Sequence, residues 1–94
     1  MTNGHESVVE FYWRPGCGFC MLLRAHLDSA GLPRREVNIW DDPEAAGRVR
    51  SVANGSETVP TVFVGPVAMV NPTIDEVLTA VREHAPGLLG SASQ

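Results

Sequence analysis

The feature that most constrains the fold is a pair of closely spaced cysteines, Cys17 and Cys20, between a strand pattern and a helix pattern. The preceding run, Ser7–Tyr12, is rich in valine and aromatic residues and predicts a buried strand. The segment Trp13–Gly16 contains proline and glycine and predicts a loop. Along Gly18–Ala30 apolar residues recur every three or four positions, which predicts a helix with one buried face. The strand and loop therefore bring the first cysteine to the start of a helix.

The rest of the chain predicts three further strands and two further helices. They are a strand at Glu36–Ile39, a helix from Asp42 to about Asn54–Gly55, strands at Thr61–Val64 and Val67–Val70, and a helix starting at Thr73. Asp42 is expected to cap its helix, while Thr73 and Glu76 are spaced as a capping box. The order βαβαββα predicts an α/β domain with a parallel strand pair, an antiparallel hairpin and helices on both faces.

Composition limits the size, the partners and the location of the protein. A chain of 94 residues predicts one domain over residues 1–94, with loose tails at 1–6 and 87–94. The net charge is −4 and the seven basic residues are dispersed arginines, which argues against nucleic acid. There is no apolar run that could span a membrane, and the first residues lack the apolar core of a signal peptide. Two cysteines are also few for a secreted domain, so we expect a cytoplasmic monomer.

The position of Cys17 predicts a nucleophile. A helix N-terminus presents unpaired amide groups and the positive end of the helix dipole, and both favour a thiolate. Arg14 can add positive charge. Cys20 follows one turn later on the same side of the helix, so it is placed to attack a mixed disulfide formed at Cys17.

Structural interpretations remain open for several of these residues. The cysteines could be inert or could bind zinc, although a closed zinc site needs four ligands and the three histidines show no matching spacing: His5, His26 and His84. A plain turn before a strand explains Pro60 in isolation. Tyr12, Trp13 and Phe19 flank the cysteines and could form an apolar rim for a partner, but core packing explains Tyr12 equally well.

Three motifs together resemble the glutaredoxin family. They are Val9-Glu10-Phe11-Tyr12, Cys17-Gly18-Phe19-Cys20 and Thr58-Val59-Pro60-Thr61-Val62-Phe63-Val64, and the resemblance extends from Val8 to Ala85. It implies a thioredoxin-like fold with a four-stranded mixed sheet and three helices. It also implies that Pro60 follows a cis peptide bond and lies beside the cysteines, and that the Val59 backbone pairs with the peptide-like part of a bound thiol. Thr58 and Pro60 are then expected among the substrate-binding residues.

Two departures from the common glutaredoxin pattern point to a subgroup. Glutaredoxins commonly have Cys-Pro-Tyr-Cys with an upstream lysine, and a glycine pair that grips the γ-glutamyl end of glutathione. Here Arg14 stands upstream, and the glycine pair is replaced by Asn71-Pro72-Thr73. A Cys-Gly-aromatic-Cys motif with this replacement is similar to the mycoredoxins, which serve mycothiol. The resemblance therefore implies that Asn71 and Thr73 contact the small thiol.

The function implied is reduction of protein mixed disulfides by Cys17 and Cys20. Mycothiol is expected as the co-substrate in preference to glutathione, and mycothione reductase as the enzyme that recycles it. No tightly bound cofactor or metal is expected. One alternative is a thioredoxin-like electron donor, for instance to ribonucleotide reductase, which a flavoprotein such as thioredoxin reductase recycles. Another is an iron–sulfur or metal carrier, since two cysteines from each of two chains could supply four sulfur ligands.

Overall fold

A four-stranded mixed sheet organises the protein. A computed structural model describes residues 8–92. The elements are β1 Val9–Trp13, α1 Gly18–Ser29, β2 Arg35–Asn38, α2 Pro43–Val52, β3 Thr61–Val64, β4 Val67–Val70, α3 Ile74–His84 and α4 Pro86–Ala92. The strand order is β2-β1-β3-β4, in which β1 and β2 are parallel and the other neighbours are antiparallel. The predicted α/β class and its thioredoxin-like sheet are confirmed.

Side chains that the sequence indicated fix the starts of α2 and α3. The Asp42 carboxylate accepts hydrogen bonds from the amides of Glu44 and Ala45, at 3.0 and 3.3 Å. The Thr73 hydroxyl accepts from the Glu76 amide at 3.1 Å, and the Glu76 carboxylate accepts from the Thr73 amide at 2.9 Å. These bonds satisfy amide groups that a helix N-terminus leaves unpaired, so both predicted caps are confirmed.

The core is divided between the two faces of the sheet. Successive strand residues point to opposite faces, so Phe11 packs toward α1 and α3 while Tyr12 packs toward α2. The first cluster also holds both cysteines together with other apolar residues, among them Leu23, Leu27, Val62, Val77 and Val81. The second is smaller and contains Val37, Ile39, Ala45, Ala46 and Val49. The cysteines are therefore anchored in the larger half of the core.

The structure differs from the sequence expectation at Trp13. This residue was expected in an exposed loop, but it forms the last position of β1 and is half-buried against the core. The strand extends this far because Trp13 pairs with Asn38 and its carbonyl accepts a hydrogen bond from the Ile39 amide at 2.9 Å. Strand pairing thus overrides the loop signal of the following proline and glycine.

The second difference is a fourth helix. Residues 87–94 were expected to be loose, yet Pro86–Ala92 forms α4. Leu88 and Leu89 pack against the larger core cluster, which gives this glycine-containing segment a reason to fold. The expected loose tail at residues 1–6 and the last two residues lie outside the described part. None of the helices within residues 8–92 has the length and hydropathy needed to cross a membrane.

Candidate active site

Cys17 is the N-cap residue of α1. Its backbone is extended and its sulfur accepts a hydrogen bond from the Cys20 amide at 3.2 Å. The preceding Gly16 adopts a positive φ of 77°, which a residue without a Cβ tolerates, and this turn joins β1 to the helix. The first turn of the helix therefore directs amide groups at the sulfur, where they stabilise developing negative charge.

Cys20 lies deeper in the protein than Cys17. The exposed fraction is 6% for Cys17 and 0% for Cys20, so only the first sulfur can meet an external molecule. Burial, with a smaller contribution from the hydrogen bond to Cys17, raises the pKa of the Cys20 thiol to about 12. A backbone hydrogen bond at Arg14 and the charge of that residue act in the opposite direction. Cys20 is consequently a protonated thiol at neutral pH.

The loop before β3 forms the second wall of the site. The Val59–Pro60 peptide bond is cis, as the resemblance implied. The Val59 carbonyl oxygen lies 3.7 Å from the Cys17 sulfur. The Pro60 carbonyl accepts a hydrogen bond from the Asn71 amide at 2.7 Å, which ties the β4–α3 connection to the same loop. Residues distant in sequence are thereby brought to one place.

A groove of about 310 Å³ runs beside the start of α1. It lies between α1 and the β4–α3 connection and is lined by Phe19, Leu22, Leu23, His26, Asn71, Pro72, Thr73 and Ile74. Phe19 has an exposed fraction of 67% and offers its ring to a ligand. His26 is the one titratable residue in this lining. The groove therefore suits an uncharged ligand with both apolar and hydroxyl-bearing parts.

The structure brings most of the predicted site residues together. Phe19, Asn71 and Thr73 line the groove, and Val59 and Pro60 stand beside Cys17. Thr58 is half-buried in the same loop, and its hydroxyl lies 2.7 Å from that of Ser56.

Arg14 is turned away from the groove. Its guanidinium group donates to the Pro15 carbonyl at 3.1 Å and lies 5.9 Å from the centre of the Trp40 ring. Its link to the cysteine pair is through Cys20, whose pKa its charge lowers.

Tyr12 does not reach the site. Its side chain is buried on the α2 face of the sheet, where the Arg48 guanidinium group donates to its hydroxyl at 2.8 Å and that hydroxyl donates to Glu10 at 3.2 Å. Because strand side chains alternate, a residue next to Phe11 had to point away from the cysteines. The core-packing interpretation of Tyr12 holds, and its role in binding a partner is withdrawn.

Sequence reasoning missed Leu22 and His26. With Phe19 they stand at i, i+3 and i+7, so they share one side of α1 next to the buried stripe. That spacing was available as a signal. No sequence signal indicated the contact between the Arg24 guanidinium group and the Trp13 ring, which lie 4.5 Å apart, because their elements meet only in the folded chain.

A zinc site at the cysteines would need further ligands grouped around them. Among the residues that the structure describes, no group of three or more histidine, cysteine, aspartate and glutamate side chains is arranged around a common point. His5, one of the three histidines considered above, lies outside that part of the chain.

A family model described as glutaredoxin matches residues 9–68. A Mycobacterium tuberculosis protein provisionally named a glutaredoxin is 36% identical over 72 residues, which cover 76% of this chain and 86% of that protein. The fold is similar to the glutaredoxin-like NrdH-redoxin of Escherichia coli, with a TM-score of 0.66, 24% identity, and coverage of 76% of this chain and 91% of that one. It is also similar to a glutaredoxin of Archaeoglobus fulgidus, with a TM-score of 0.68, 20% identity, and coverage of 81% and 87%.

Proposed function

The chain belongs to the glutaredoxin family, and on this premise we propose that it reduces mixed disulfides between proteins and a small thiol, with mycothiol as the electron donor. The site is the Cys17–Cys20 pair together with the groove beside α1, lined by Phe19, Leu22, Leu23, His26, Asn71, Pro72, Thr73 and Ile74. We call this groove the small-thiol groove. We place the activity in the cytoplasm, where thiols are kept reduced.

The choice of mycothiol over glutathione rests on the side chains that line the groove. Its lining combines aromatic and aliphatic side chains with an asparagine and a threonine, and contains no arginine, lysine, aspartate or glutamate. The γ-glutamyl end of glutathione carries both an ammonium and a carboxylate, and burying such charges without partners is costly. Mycothiol replaces that end with an acetyl group and presents a sugar–inositol unit, whose hydroxyls and ring faces match the neutral polar and aromatic lining.

The first step is attack on the mixed disulfide. The Cys17 thiolate attacks the sulfur of the small thiol, the disulfide bond breaks, and the target protein leaves as a thiolate that takes a proton from water. The Val59 carbonyl and the groove hold the small thiol beside the Cys17 sulfur. The small thiol remains bonded to Cys17 in a new mixed disulfide.

The second step releases the small thiol from Cys17 by one of two routes, of which only the first returns the reduced enzyme directly; the disulfide formed in the second is itself reduced by two further thiols. A second mycothiol thiolate attacks the mycothiol sulfur and releases the oxidised mycothiol dimer and the Cys17 thiolate. Alternatively, the Cys20 thiol loses its proton and attacks the Cys17 sulfur, which releases mycothiol and forms the Cys17–Cys20 disulfide. Because the pKa of Cys20 is raised to about 12, we expect the first route to predominate at neutral pH.

The test is turnover of one mixed-disulfide substrate in parallel assays. One contains mycothiol, mycothione reductase and NADPH, and the other contains glutathione, glutathione reductase and NADPH. We expect kcat/KM to be at least about tenfold higher with mycothiol, which corresponds to roughly 1.4 kcal/mol of selectivity. Equal or faster turnover with glutathione would overturn the assignment of the thiol.

Two cysteine variants serve as matched controls in the same assays. Cys17→Ser should abolish turnover because it removes the nucleophile. Cys20→Ser should retain it, since a second mycothiol can complete the cycle. Residual turnover in the first variant would contradict the role of Cys17, and complete loss in the second would make the dithiol route obligatory.

A second candidate is a thioredoxin-like electron donor. The Escherichia coli NrdH-redoxin has a thioredoxin-like activity profile. At 24% identity the likeness shows a shared fold alone. A third assay with thioredoxin reductase and NADPH, but without a small thiol, distinguishes the two candidate functions. Rapid oxidation of NADPH there would favour this candidate over the mycothiol-dependent one.

A further inference from the structure

The edge strand β4 carries free hydrogen-bonding capacity. Within residues 8–92, β4 lies at one end of the sheet and pairs only with β3. The Asn71 amide bonds to the Pro60 carbonyl, and antiparallel pairs alternate along a ladder. Within β4, the backbone groups of Val67 and Met69 therefore point toward β3, while those of Ala68 and Val70 point outward.

A groove of about 530 Å³ lies along this edge, between β4 and α3. Its floor is apolar and is formed by Val67, Met69 and Ala80. Its rim on α3 carries Asp75, Glu76 and Glu83. The Glu76 carboxylate accepts the capping bond from the Thr73 amide, so Asp75 and Glu83, eight residues apart, are the carboxylates left for a ligand; Glu83 lies 3.9 Å from the His84 ring nitrogen. Among the described residues, the Asp75 side chain has no hydrogen-bond or ion-pair partner. The edge thus combines unpaired backbone groups, an apolar floor and a negative wall.

We propose that this groove binds an extended basic segment of a partner protein, which adds as a fifth strand beside β4. Main-chain hydrogen bonds to Ala68 and Val70 would supply the pairing, as in other cases of strand addition. Arginine or lysine side chains facing α3 would contact Asp75 and Glu83. The groove reaches Val70, immediately before Asn71 of the small-thiol groove, so the docked segment lies next to the candidate active site.

The spacing of the acidic wall specifies the sequence of the segment. Eight residues of helix span roughly 12 Å. Side chains on one face of a strand repeat about every 6.7 Å, so two basic residues four positions apart are separated by about 13 Å. Basic residues at i and i+4 therefore match the two carboxylates, whereas residues at i and i+3 point to opposite faces of the strand.

Charge argues for a foreign partner over a second copy of this chain. Two β4 edges paired with each other would bring the two acidic walls together in a protein that already carries a net charge of −4. At the opposite edge Arg34 stands just before β2 and Arg35 at its start, but Arg34 is paired with Asp28 and Glu36, and Arg35 shares Glu10 with Arg48. Both arginines are therefore already engaged by carboxylates within the chain.

The test uses a peptide without cysteine, so its outcome is independent of thiol exchange. The probe is a nine-residue peptide, acetylated and amidated, with alternating threonine and valine except for arginine at positions three and seven. Binding is measured by titration at low ionic strength, and the contact is mapped from backbone amide signals in NMR spectra. We expect the largest changes at Ala68 and Val70, and weaker binding when salt is added.

Matched variants make the test specific. D75N/E83Q should weaken binding about tenfold, because two partly exposed ion pairs are lost. D41N/E44Q changes the net charge equally on a different surface and should leave binding within about twofold. Ala68→Pro removes an outward amide without touching α3, and it should also abolish binding. The two variants in the groove lie on different elements, so misfolding of one leaves the other informative.

Three outcomes would overturn the inference. One is an equal loss of affinity in both charge variants, which would indicate attraction by net charge alone. Another is equal binding of a peptide with arginines at positions three and six. The third is self-association of the free protein through β4, which would make a second copy the occupant.

Discussion

At the scale of single residues, burial separates the roles of the two thiols. Cys17 keeps a small exposed fraction while Cys20 has none, so in the proposed reaction the first sulfur meets the substrates and the second is held protonated. The raised pKa of Cys20 favours its neutral form over a wide pH range. The Cys20 thiolate, which is needed to form the Cys17–Cys20 disulfide, is thus scarce at pH 7, and its population increases as the pH rises.

The raised pKa of Cys20 predicts how formation of the Cys17–Cys20 disulfide depends on pH. In a mixed disulfide at Cys17, the rate at which Cys20 expels the small thiol should rise about tenfold per pH unit between pH 7 and 9, because both values lie below the raised pKa. Burial is the largest cause of that pKa and persists after Cys17 has reacted. Stopped-flow measurement of released thiol checks the prediction, with Cys20→Ser as the control that should release none. A rate independent of pH in this interval would contradict it.

At the scale of elements, the capping box of α3 connects stability with the site. Thr73 both starts the helix and lines the small-thiol groove. Thr73→Ala should lower the free energy of unfolding by about 1 kcal/mol, because it leaves the Glu76 amide without its acceptor. Unfolding in urea measures this change. Thr79→Ala, in the middle of the same helix, is the control and should cost less, since alanine favours helix interiors; an equal loss would show that the cap is not the cause.

Local signals predicted most of the elements. Asp42 and Thr73 mark helix starts through contacts with amides two or three residues away, so the sequence carries the information directly. Trp13 and α4 depend on distant partners. The strand extends to Trp13 because β2 pairs with it, and α4 forms where Leu88 and Leu89 meet the core. Interactions of this kind are absent from any local window of sequence.

The same distinction applies to the candidate site. The cysteine pair and the loop at Pro60 are contiguous motifs, and both were found. The groove joins Phe19, Leu22 and His26 of α1 to the β4–α3 connection, so its shape depends on packing between elements far apart in sequence. Tyr12 was misplaced because proximity in sequence was given more weight than the alternation of strand side chains.

At the scale of the whole molecule, α1 has two functions on two of its sides. Leu27 is buried between the sheet and α3, whereas Leu22 is exposed and lines the groove. The helix therefore anchors the site with one stripe of side chains and offers a binding surface with the neighbouring stripe.

Substituting the two leucines should separate these functions. Leu27→Ala should lower the free energy of unfolding by about 2–5 kcal/mol, as expected for a large-to-small change in a core. Leu22→Ala should change it by less than about 0.5 kcal/mol but raise the KM for the small thiol. Denaturant unfolding and steady-state kinetics measure the two quantities. A strong loss of stability in the second variant, or an unchanged KM, would contradict this division.

The different burial of the two sulfurs also determines how substrates can reach the site. Of the two cysteines only Cys17 has exposed surface, so in the proposed reaction the oxidised target and the reducing thiol enter by the same opening, one after the other. The oxidised target converts the Cys17 thiolate to a mixed disulfide, and the reducing thiol converts that mixed disulfide back to the thiolate. The two substrates therefore compete for one opening, and an excess of either of them is expected to inhibit the reaction with the other.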